Sequence, residues 1–282
     1  MKHCTYVDTI YNSSNLPRIT VITVCYNSID TIEQTIQSVL SQDYSNIEYI
    51  IIDGGSTDDT INIIKKYESK ISFWQSEPDK NMYDAINKGL TKVSGQLWMS
   101  LNSDDYLASS QVISQVAFYF CKYGSKFGAY YGNIIKKEGN IFRPIQLFTV
   151  NYKSLLASEH CSFMPQPSTF LLKEVITNIG YFDLSYQYAS DYDYFLRVTQ
   201  VYKVKHIPQY FTVFRDHENS ITNRLAQRMN EERYLIIKKF RHSSPVSLSF
   251  LVKYLSWCYY LIINKRFPLI KFFRLKKQKT LK

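Results

Sequence analysis

The sequence predicts an α/β fold in which helices flank a mixed, largely parallel sheet. Apolar runs of strand length occur at residues 19–24, 47–52 and 96–101. The first shows no polar alternation, which is typical of a strand buried on both faces of a parallel sheet. Segments with helical spacing separate these runs, and alternation at this pace favours right-handed parallel crossovers.

The elements follow one another closely in the first hundred residues. The first strand ends at Tyr26-Asn27-Ser28, and a helix follows with apolar residues at Ile32, Ile36, Val39 and Leu40. Next we expect a strand at 47–52, a helix at 57–67, a strand at 71–75, a helix at 82–90 and a strand at 96–101. Farther along, we expect strands at 129–137, 169–172 and 204–214, and helices at 191–199, 225–240 and 246–264.

The length and composition suit one large domain with an appendage, because 282 residues with 45% hydrophobic content can bury a sizeable core. Residues 1–17 are polar and non-periodic and are expected to form a flexible lead-in. Residues 18–222 are expected to form the α/β domain. Residues 223–282 are expected to form C-terminal helices with a basic, membrane-associating tail.

The net charge of +10 is concentrated in that tail, where nine Lys and Arg residues and no Asp or Glu follow Ser244. The stretch from Val246 to Ile263 is apolar apart from Lys253 and a few serines, which is marginal against the roughly 20 apolar residues of a spanning helix. Its aromatic residues and the basic cluster favour a peripheral anchor on anionic lipid. A helix packed on the domain, with a solvated basic end, is the alternative. Nucleic acid is disfavoured as a partner because no recognised binding module appears.

The cysteines indicate a reducing compartment. Cys4, Cys25, Cys121, Cys161 and Cys258 are scattered and odd in number, which suits free thiols rather than a disulfide framework or a zinc site. No apolar signal segment precedes Pro17-Arg18. We therefore expect a cytoplasmic protein, peripherally associated with the inner face of the plasma membrane.

Polar clusters follow three of the predicted strands: Tyr26-Asn27, Asp53, and Asn102-Ser103-Asp104-Asp105. Open α/β sheets bind ligands beyond the carboxyl ends of their strands, so these clusters predict one shared site. The alternative for residues 53–56 alone is an ordinary turn and helix cap.

The acidic turn at residues 102–105 has the oxygen-rich composition that suits a hard divalent ion such as Mg²⁺ or Mn²⁺. Such an ion would offset negative charge on a departing diphosphate. The alternative is a run of capping residues before a helix at 109–123.

Seven motifs in a fixed order make the chain from about Arg18 to His217 resemble family 2 glycosyltransferases of the GT-A fold. They are residues 21–27 (VITVCYN), 51–58 (IIDGGSTD), 76–80 (SEPDK), 83–89 (YDAINKG), 101–105 (LNSDD), 180–183 (GYFD) and 190–197 (SDYDYFLR). Each motif is weak alone, but their order and spacing are specific. The resemblance implies that residues 18–222 form a GT-A catalytic domain.

The resemblance also implies roles for individual residues. Those implied to bind the nucleotide sugar are Tyr26, Asn27 and Asp53 at the nucleoside, Asp84 and Asn87 along the same pocket, Asn102 in the metal motif, and Asp105 near the sugar. Asp104 would be the principal metal ligand. Asp191 matches the general base that deprotonates the acceptor hydroxyl. His217 matches a late histidine that contacts the metal or diphosphate in some relatives, although an ordinary surface histidine is an equal alternative.

Three positions depart from the family pattern. Asn102 replaces the first Asp of the metal motif, and Gly54 stands where many relatives have a second Asp that contacts uracil. Ser190 replaces the usual Glu before Asp191. We expect Asp193 to be structural, pairing with Arg197.

Together these features predict an inverting, metal-dependent hexosyl- or N-acetylhexosaminyltransferase. The implied partners are a nucleoside-diphosphate-sugar, with UDP favoured, Mn²⁺ or Mg²⁺, and a glycan or lipid-linked glycan acceptor of bacterial surface polysaccharide synthesis. A nucleotidyltransferase and a catalytically impaired binding subunit are the alternatives. The former expects a Gly-rich basic loop after the first strand, which residues 25–28 lack.

Overall fold

The computed structural model describes residues 16–157, 164–216 and 225–243. The strands are β1 Ile19–Cys25, β2 Ile47–Asp53, β3 Phe73–Ser76, β4 Leu97–Asn102, β5 Tyr106–Leu107, β6 Ala129–Glu138, β7 Ile141–Ile145, β8 Thr169–Leu172 and β9 Val204–Arg215. The helices are α1 Ile32–Leu40, α2 Thr60–Lys66, α3 Met82–Leu90, α4 Val112–Tyr123, α5 Tyr152–Ala157, α6 Lys173–Ile179, α7 Ser190–Val201 and α8 Ala226–Ser243.

The strands form one mixed sheet in the order β3-β2-β1-β4-β8-β6-β9-β5, with β7 paired to β6. The first half, β3-β2-β1-β4, is parallel throughout. Strand β8 runs antiparallel to both β4 and β6 and joins this half to the rest. The predicted fold class, a largely parallel α/β sheet flanked by helices, is confirmed.

The centre of the parallel half is β1, whose seven residues are all buried. Its run of Ile, Thr and Val suits a strand with parallel neighbours on both edges and covered faces. Helix α3 packs close over it, since a Cβ on Gly89 would lie 2.6 Å from Ile22 Cγ2. Glycine at this position therefore sets how near α3 and its polar side chains lie to the sheet.

Helix α8 packs against the α/β domain rather than standing apart. Its apolar face buries Ile236, Ile237 and Phe240 in the same hydrophobic core as β1 and α7. The predicted boundary at residues 222 and 223 falls outside the described residues, so the domain limits stay a prediction.

No helix in the described part of the chain is long and apolar enough to cross a membrane. The predicted helix at 246–264 and the basic tail lie outside that part. The lipid anchor therefore stays a prediction. Within the described ranges Cys25 and Cys121 are free thiols, as expected, and the other three cysteines lie outside them.

Candidate functional site

The three predicted polar clusters meet at one edge of the sheet, because the strands that carry them end in register. Cys25 lies opposite Asp53, and Val24 lies opposite Asn102. Two backbone bonds continue the alignment past the strand ends: Gly54 N donates to Cys25 O at 2.8 Å, and Ser103 N donates to Val24 O at 3.1 Å. The register places the nucleoside and metal candidates side by side.

Tyr26 stands at this edge with 63% of its surface exposed, which is unusual for an aromatic residue next to a buried strand. The next residue, Asn27, adopts a positive φ of 46°. Its side-chain oxygen accepts from Thr57 N at 2.9 Å, and its backbone N donates to Ser56 Oγ at 2.8 Å. Asn tolerates this left-handed conformation, so Asn27 turns the chain and leaves the Tyr26 ring free to stack on a ligand.

Asp53 is fully buried and builds the turn that follows β2. Its Oδ2 accepts from Ser56 N at 2.8 Å and from Ser76 Oγ at 2.6 Å, while its Oδ1 accepts from Ser56 Oγ at 2.5 Å. Asp53 thus holds Ser56 in place, and Ser56 Oγ in turn accepts from the backbone N of Asn27. The predicted contact of Asp53 with the nucleoside stays a prediction.

Gly54 has a packing reason to differ from the family pattern. A Cβ there would lie 3.0 Å from Asp79 Oδ2. A carboxylate at position 54 would therefore face that of Asp79, which is ion-paired with Lys88. Gly54 therefore leaves room for the Asp79 carboxylate beside the turn after β2.

The acidic turn is held from two sides. Thr35 Oγ1, on α1, lies 2.8 Å from Ser103 O and 2.7 Å from Asp105 O. Ser28 Oγ and Ser103 Oγ are 2.7 Å apart, which ties the turn to the loop after β1. The turn is therefore a fixed part of the fold and not a freely moving loop.

Asp105 is fully buried, and its Oδ1 accepts from Arg215 N at 3.0 Å. Burial raises the pKa of its carboxyl well above the usual range; the neighbouring charge of Asp104 adds to this, and Arg215 opposes it. Asp105 thus holds the turn against the end of β9. Its predicted place near the sugar stays a prediction.

Two buried oxygens of the acidic turn lack hydrogen-bond partners: Asn102 Oδ1 and Asp105 Oδ2. Buried polar atoms are normally satisfied, so the unpaired amide oxygen of Asn102, two residues before Asp104, fits a ligand of a hard divalent ion. Among the described residues no three His, Cys, Asp or Glu side chains cluster as a metal site. His217 lies outside them, so its role as a ligand stays a prediction.

Arg215 was missed by sequence reasoning although it ends β9 at this turn. Its guanidinium donates to Asp104 O and to Gln34 Oε1 on α1. It also stacks on the Tyr106 ring, 4.9 Å from the centroid. The turn therefore combines carboxylates with a fixed positive charge, which suits a diphosphate.

On α3, the side chains of Asp84 and Asn87 both form hydrogen bonds with backbone atoms. Asp84 Oδ2 accepts from Lys80 N at 3.0 Å, while Asp84 N donates to Asn81 Oδ1 at 3.0 Å, an arrangement that caps the helix. Asn87 Nδ2 donates to Phe182 O, and Phe182 N donates to Asn87 Oδ1, each at 2.9 Å. Asn87 thus fixes the loop that leads to α7. For both residues the predicted contact with the donor stays a prediction.

Asp191 lies half-buried in the first turn of α7 and is linked to α3. Tyr83 Oη donates to Asp191 Oδ1 at 3.1 Å and lies 3.2 Å from Tyr188 O. Burial raises the pKa of Asp191, while the charge of Arg233 and the bond from Tyr83 oppose the rise. A carboxylate that has a raised pKa and is not fully buried suits proton abstraction near neutral pH.

Asp193, one residue beyond Tyr192 on the same helix, is structural as predicted. It is fully buried; its Oδ2 accepts from Arg197 Nε at 2.7 Å, and its Oδ1 accepts from Lys239 Nζ of α8 at 3.2 Å. The expected pairing with Arg197 is confirmed, and Lys239 is an additional partner.

Replacing Asp193 by Asn is expected to lower the free energy of unfolding by roughly 2 to 3 kcal/mol, because two cations lose the charge that they pair with. Chemical denaturation measures this change. Asp30→Asn, the same substitution at an exposed site, should change the free energy by less than about 0.5 kcal/mol. Equal changes in the free energy of unfolding for the two substitutions would contradict a structural role for Asp193.

Comparison with known proteins agrees with this geometry. The family model described as Glycosyl transferase family 2 matches residues 20–170. An uncharacterized glycosyltransferase of Mycobacterium tuberculosis is 30% identical over 191 residues, which span 67% of this chain and 71% of the relative. The Escherichia coli protein UDP-Glc:alpha-D-GlcNAc-diphosphoundecaprenol beta-1,3-glucosyltransferase WfaP is 30% identical over 212 residues, 72% of this chain and 79% of the relative.

Solved structures share the fold at lower identity. S. aureus TarS 1-349 in complex with UDP-GlcNAc superposes with a TM-score of 0.60 at 17% identity, over 72% of this chain and 60% of that chain. The Pyrobaculum calidifontis mannosyltransferase PcManGT, in complex with GDP-Man and Mn²⁺, gives a TM-score of 0.57 at 14% identity, over 88% and 81% of the two chains. Because the matched sequence covers more than half of the chain and the sheet has the same architecture, the protein belongs to glycosyltransferase family 2.

Proposed function

We propose that this glycosyltransferase moves a hexosyl or N-acetylhexosaminyl group, with inversion, from a UDP-sugar to a lipid-linked glycan acceptor. The observation that carries the proposal is the register of β1, β2 and β4, which brings Tyr26 and the acidic turn to one edge of the sheet. WfaP, by its name, transfers glucose from UDP-Glc to a diphosphoundecaprenol-linked acceptor. A nucleotidyltransferase is set aside because the chain belongs to the glycosyltransferase family.

The proposed donor site uses aromatic and charged groups for different parts of the nucleotide. The exposed Tyr26 ring stacks on the base, and Asp104 with Asn102 would hold Mn²⁺ or Mg²⁺ beside the diphosphate. A bound divalent ion supplies Lewis-acid stabilisation of the leaving diphosphate. Arg215, which is already fixed on the turn, adds positive charge there.

The proposed chemistry is a single in-line displacement. The Asp191 carboxylate removes the proton of the acceptor hydroxyl, the acceptor oxygen bonds the anomeric carbon, and the bond to the diphosphate oxygen breaks. UDP leaves with the electron pair, and the proton stays on Asp191 until solvent removes it. No covalent enzyme intermediate forms, so the anomeric configuration inverts.

The experiment that tests this proposal is a transfer assay with UDP-glucose or UDP-N-acetylglucosamine, Mn²⁺ and a synthetic lipid diphosphate that carries α-GlcNAc. We expect a β-linked product from an α-linked donor, identified by nuclear magnetic resonance. An α-linked product would contradict inversion. UDP-sugar that binds but does not react would favour the impaired binding subunit, an alternative that rests on Asn102 and Ser190.

Replacing Tyr83 by Phe is expected to move the acidic limb of the kcat/KM profile to higher pH. The substitution keeps the ring stacked on Phe182 but removes the hydroxyl that helps to lower the pKa of Asp191. Because the base must be deprotonated, a further rise in its pKa confines activity to higher pH. The charge of Arg233 on α8 still acts on Asp191 in this variant.

The pH profile of transfer measures this shift. Tyr67→Phe is the matched control, because it removes a tyrosine hydroxyl that bonds Glu33 of α1 rather than Asp191. The control should follow the wild-type profile. An unshifted profile in Tyr83→Phe would show that the acidic limb does not report protonation of Asp191.

A further inference from the structure

Glu232, on helix α8, accepts hydrogen bonds from the loop at residues 187–189, which leads to Asp191. Glu232 Oε1 accepts from Gln187 N at 2.8 Å, and its Oε2 accepts from Tyr188 N at 2.7 Å and Ala189 N at 2.9 Å. Three consecutive backbone N–H groups thus converge on one side chain. Bonds of this kind to a charged acceptor are the strong ones in proteins.

The loop that Glu232 holds comes immediately before the catalytic helix. Ala189 is the N-cap residue of α7 and supplies no side-chain cap. Glu232 therefore satisfies three backbone donors immediately ahead of the helix, and its negative charge lies at the helix N-terminus, where the helix dipole favours it. Asp191 follows two residues later, so the position of this helix start decides where its carboxylate lies.

A second path leads from the same loop to Asp191 through Tyr83. The Tyr83 hydroxyl lies 3.2 Å from Tyr188 O and 3.1 Å from Asp191 Oδ1, so it is shared between the loop and the carboxylate. Tyr188 is one of the residues whose N–H donates to Glu232. Movement of the loop would change the geometry of the Tyr83 bond to Asp191.

Neighbouring residues of α8 hold the same helix. Arg233 is 7% exposed, and its guanidinium lies 5.3 Å from the centroid of the Tyr192 ring. Lys239, six residues farther along α8, pairs with Asp193. Residues 226–243 lie beyond residues 20–170, where the family model matches. The Asp191 side of the site thus depends on a segment outside that match.

We propose that Glu232 is a positioning residue for transfer, which holds the loop at residues 187–189 and thereby fixes the place of the Asp191 carboxylate. The inference rests on the proposed function, in which Asp191 is the general base. Glu232 itself is not proposed to touch donor or acceptor. Its loss should therefore affect the chemical step and leave donor binding unchanged.

The test compares Glu232→Gln with Glu231→Gln in the full chain. The control removes the same charge from the adjacent residue, which is exposed and bonds Gln227 on its own helix. Hydrogen exchange of the segment at 183–193, followed by mass spectrometry without any ligand, should be faster in Glu232→Gln alone. In the transfer assay described above, its kcat should fall at least about tenfold with the KM for the UDP-sugar unchanged, because small displacements of a reacting group are costly.

A double variant separates positioning from a general loss of structure. In an Asp191→Asn background, Glu232→Gln should cause less than about a twofold further loss, because residues that act through one another are non-additive. Equal exchange in the two Gln variants, or a kcat for Glu232→Gln within twofold of the control, would overturn the inference. So would a full further loss in the double variant.

If Glu232→Gln does not fold, Glu232→Asp takes its place, since it keeps the charge and both oxygens but is one methylene shorter. Its kcat should fall below that of the control with an unchanged KM, and a kcat equal to the control would overturn the inference. Normal transfer by Asp191→Asn would instead overturn the proposed base, which makes that failure distinguishable from failure of the role given to Glu232.

Discussion

Replacing Asp191 by Asn is expected to reduce transfer by about 10² to 10⁴-fold while UDP-sugar still binds, because general-base catalysis contributes an effect of that size. The amide keeps the shape of the carboxylate and can still accept the bond from Tyr83, but it cannot take up a proton. Steady-state transfer and donor binding, measured on the same preparation, separate the two effects.

The matched control for Asp191→Asn is Asp30→Asn, at an exposed residue of the loop before α1. This control should transfer at the wild-type rate. A rate for Asp191→Asn within a few-fold of the control would show that another group accepts the proton, and the base would have to be sought elsewhere.

Replacing Asp104 by Ala is expected to abolish the dependence of transfer on Mn²⁺ and to lower kcat/KM roughly a hundredfold or more, because metal stabilisation of a leaving oxygen is worth several kcal/mol. Asn102 contributes one neutral oxygen in place of the family carboxylate, so most of the charge at the site falls on Asp104. The measurement is transfer as a function of Mn²⁺ concentration.

Asn102→Asp provides the converse change at the same turn. It restores the family carboxylate, and we expect it to lower the Mn²⁺ concentration needed for half-maximal transfer. If Asp104→Ala kept the wild-type response to Mn²⁺, the metal would not bind at this turn.

The parallel half of the sheet was predictable because its signals are local. Buried strands such as Ile19 to Val24 can be recognised from their apolar, β-branched composition. Tyr26, Asp53 and Asn102 lie at the carboxyl ends of such strands, so their place in the sheet could be predicted. The register of parallel strands then brings those ends together without further information. The third strand was expected at 71–75 and lies at Phe73–Ser76, a shift typical of element boundaries.

Strands β5 and β7 were not expected, because pairing rather than composition creates them. The two residues of β5 become a strand only by pairing with β9, where Tyr106 lies opposite Val213. All five residues of β7 are exposed, and the strand lies along β6. Its apolar residues are interrupted by Arg143 and Pro144, so they form no alternating pattern, and the two residues of β5 are too few to form one.

The supports of the site were also hidden, because they join residues far apart in the chain. Tyr83 lies within a recognised motif, yet only the fold brings it to Asp191, 108 positions later. Arg215 and Glu232 reach the site from β9 and α8 in the same way. A charged residue in an otherwise amphipathic helix gives no signal of which loop it will bind.

Calorimetric binding of UDP, with and without Mn²⁺, to the wild type, Asp104→Ala and Asp191→Asn tests the metal-assisted donor site without relying on transfer. We expect Mn²⁺ to strengthen UDP binding to the wild type and to Asp191→Asn, and we expect this gain to disappear in Asp104→Ala. Equal binding of UDP to all three proteins regardless of Mn²⁺ would contradict a metal-assisted donor site at the acidic turn.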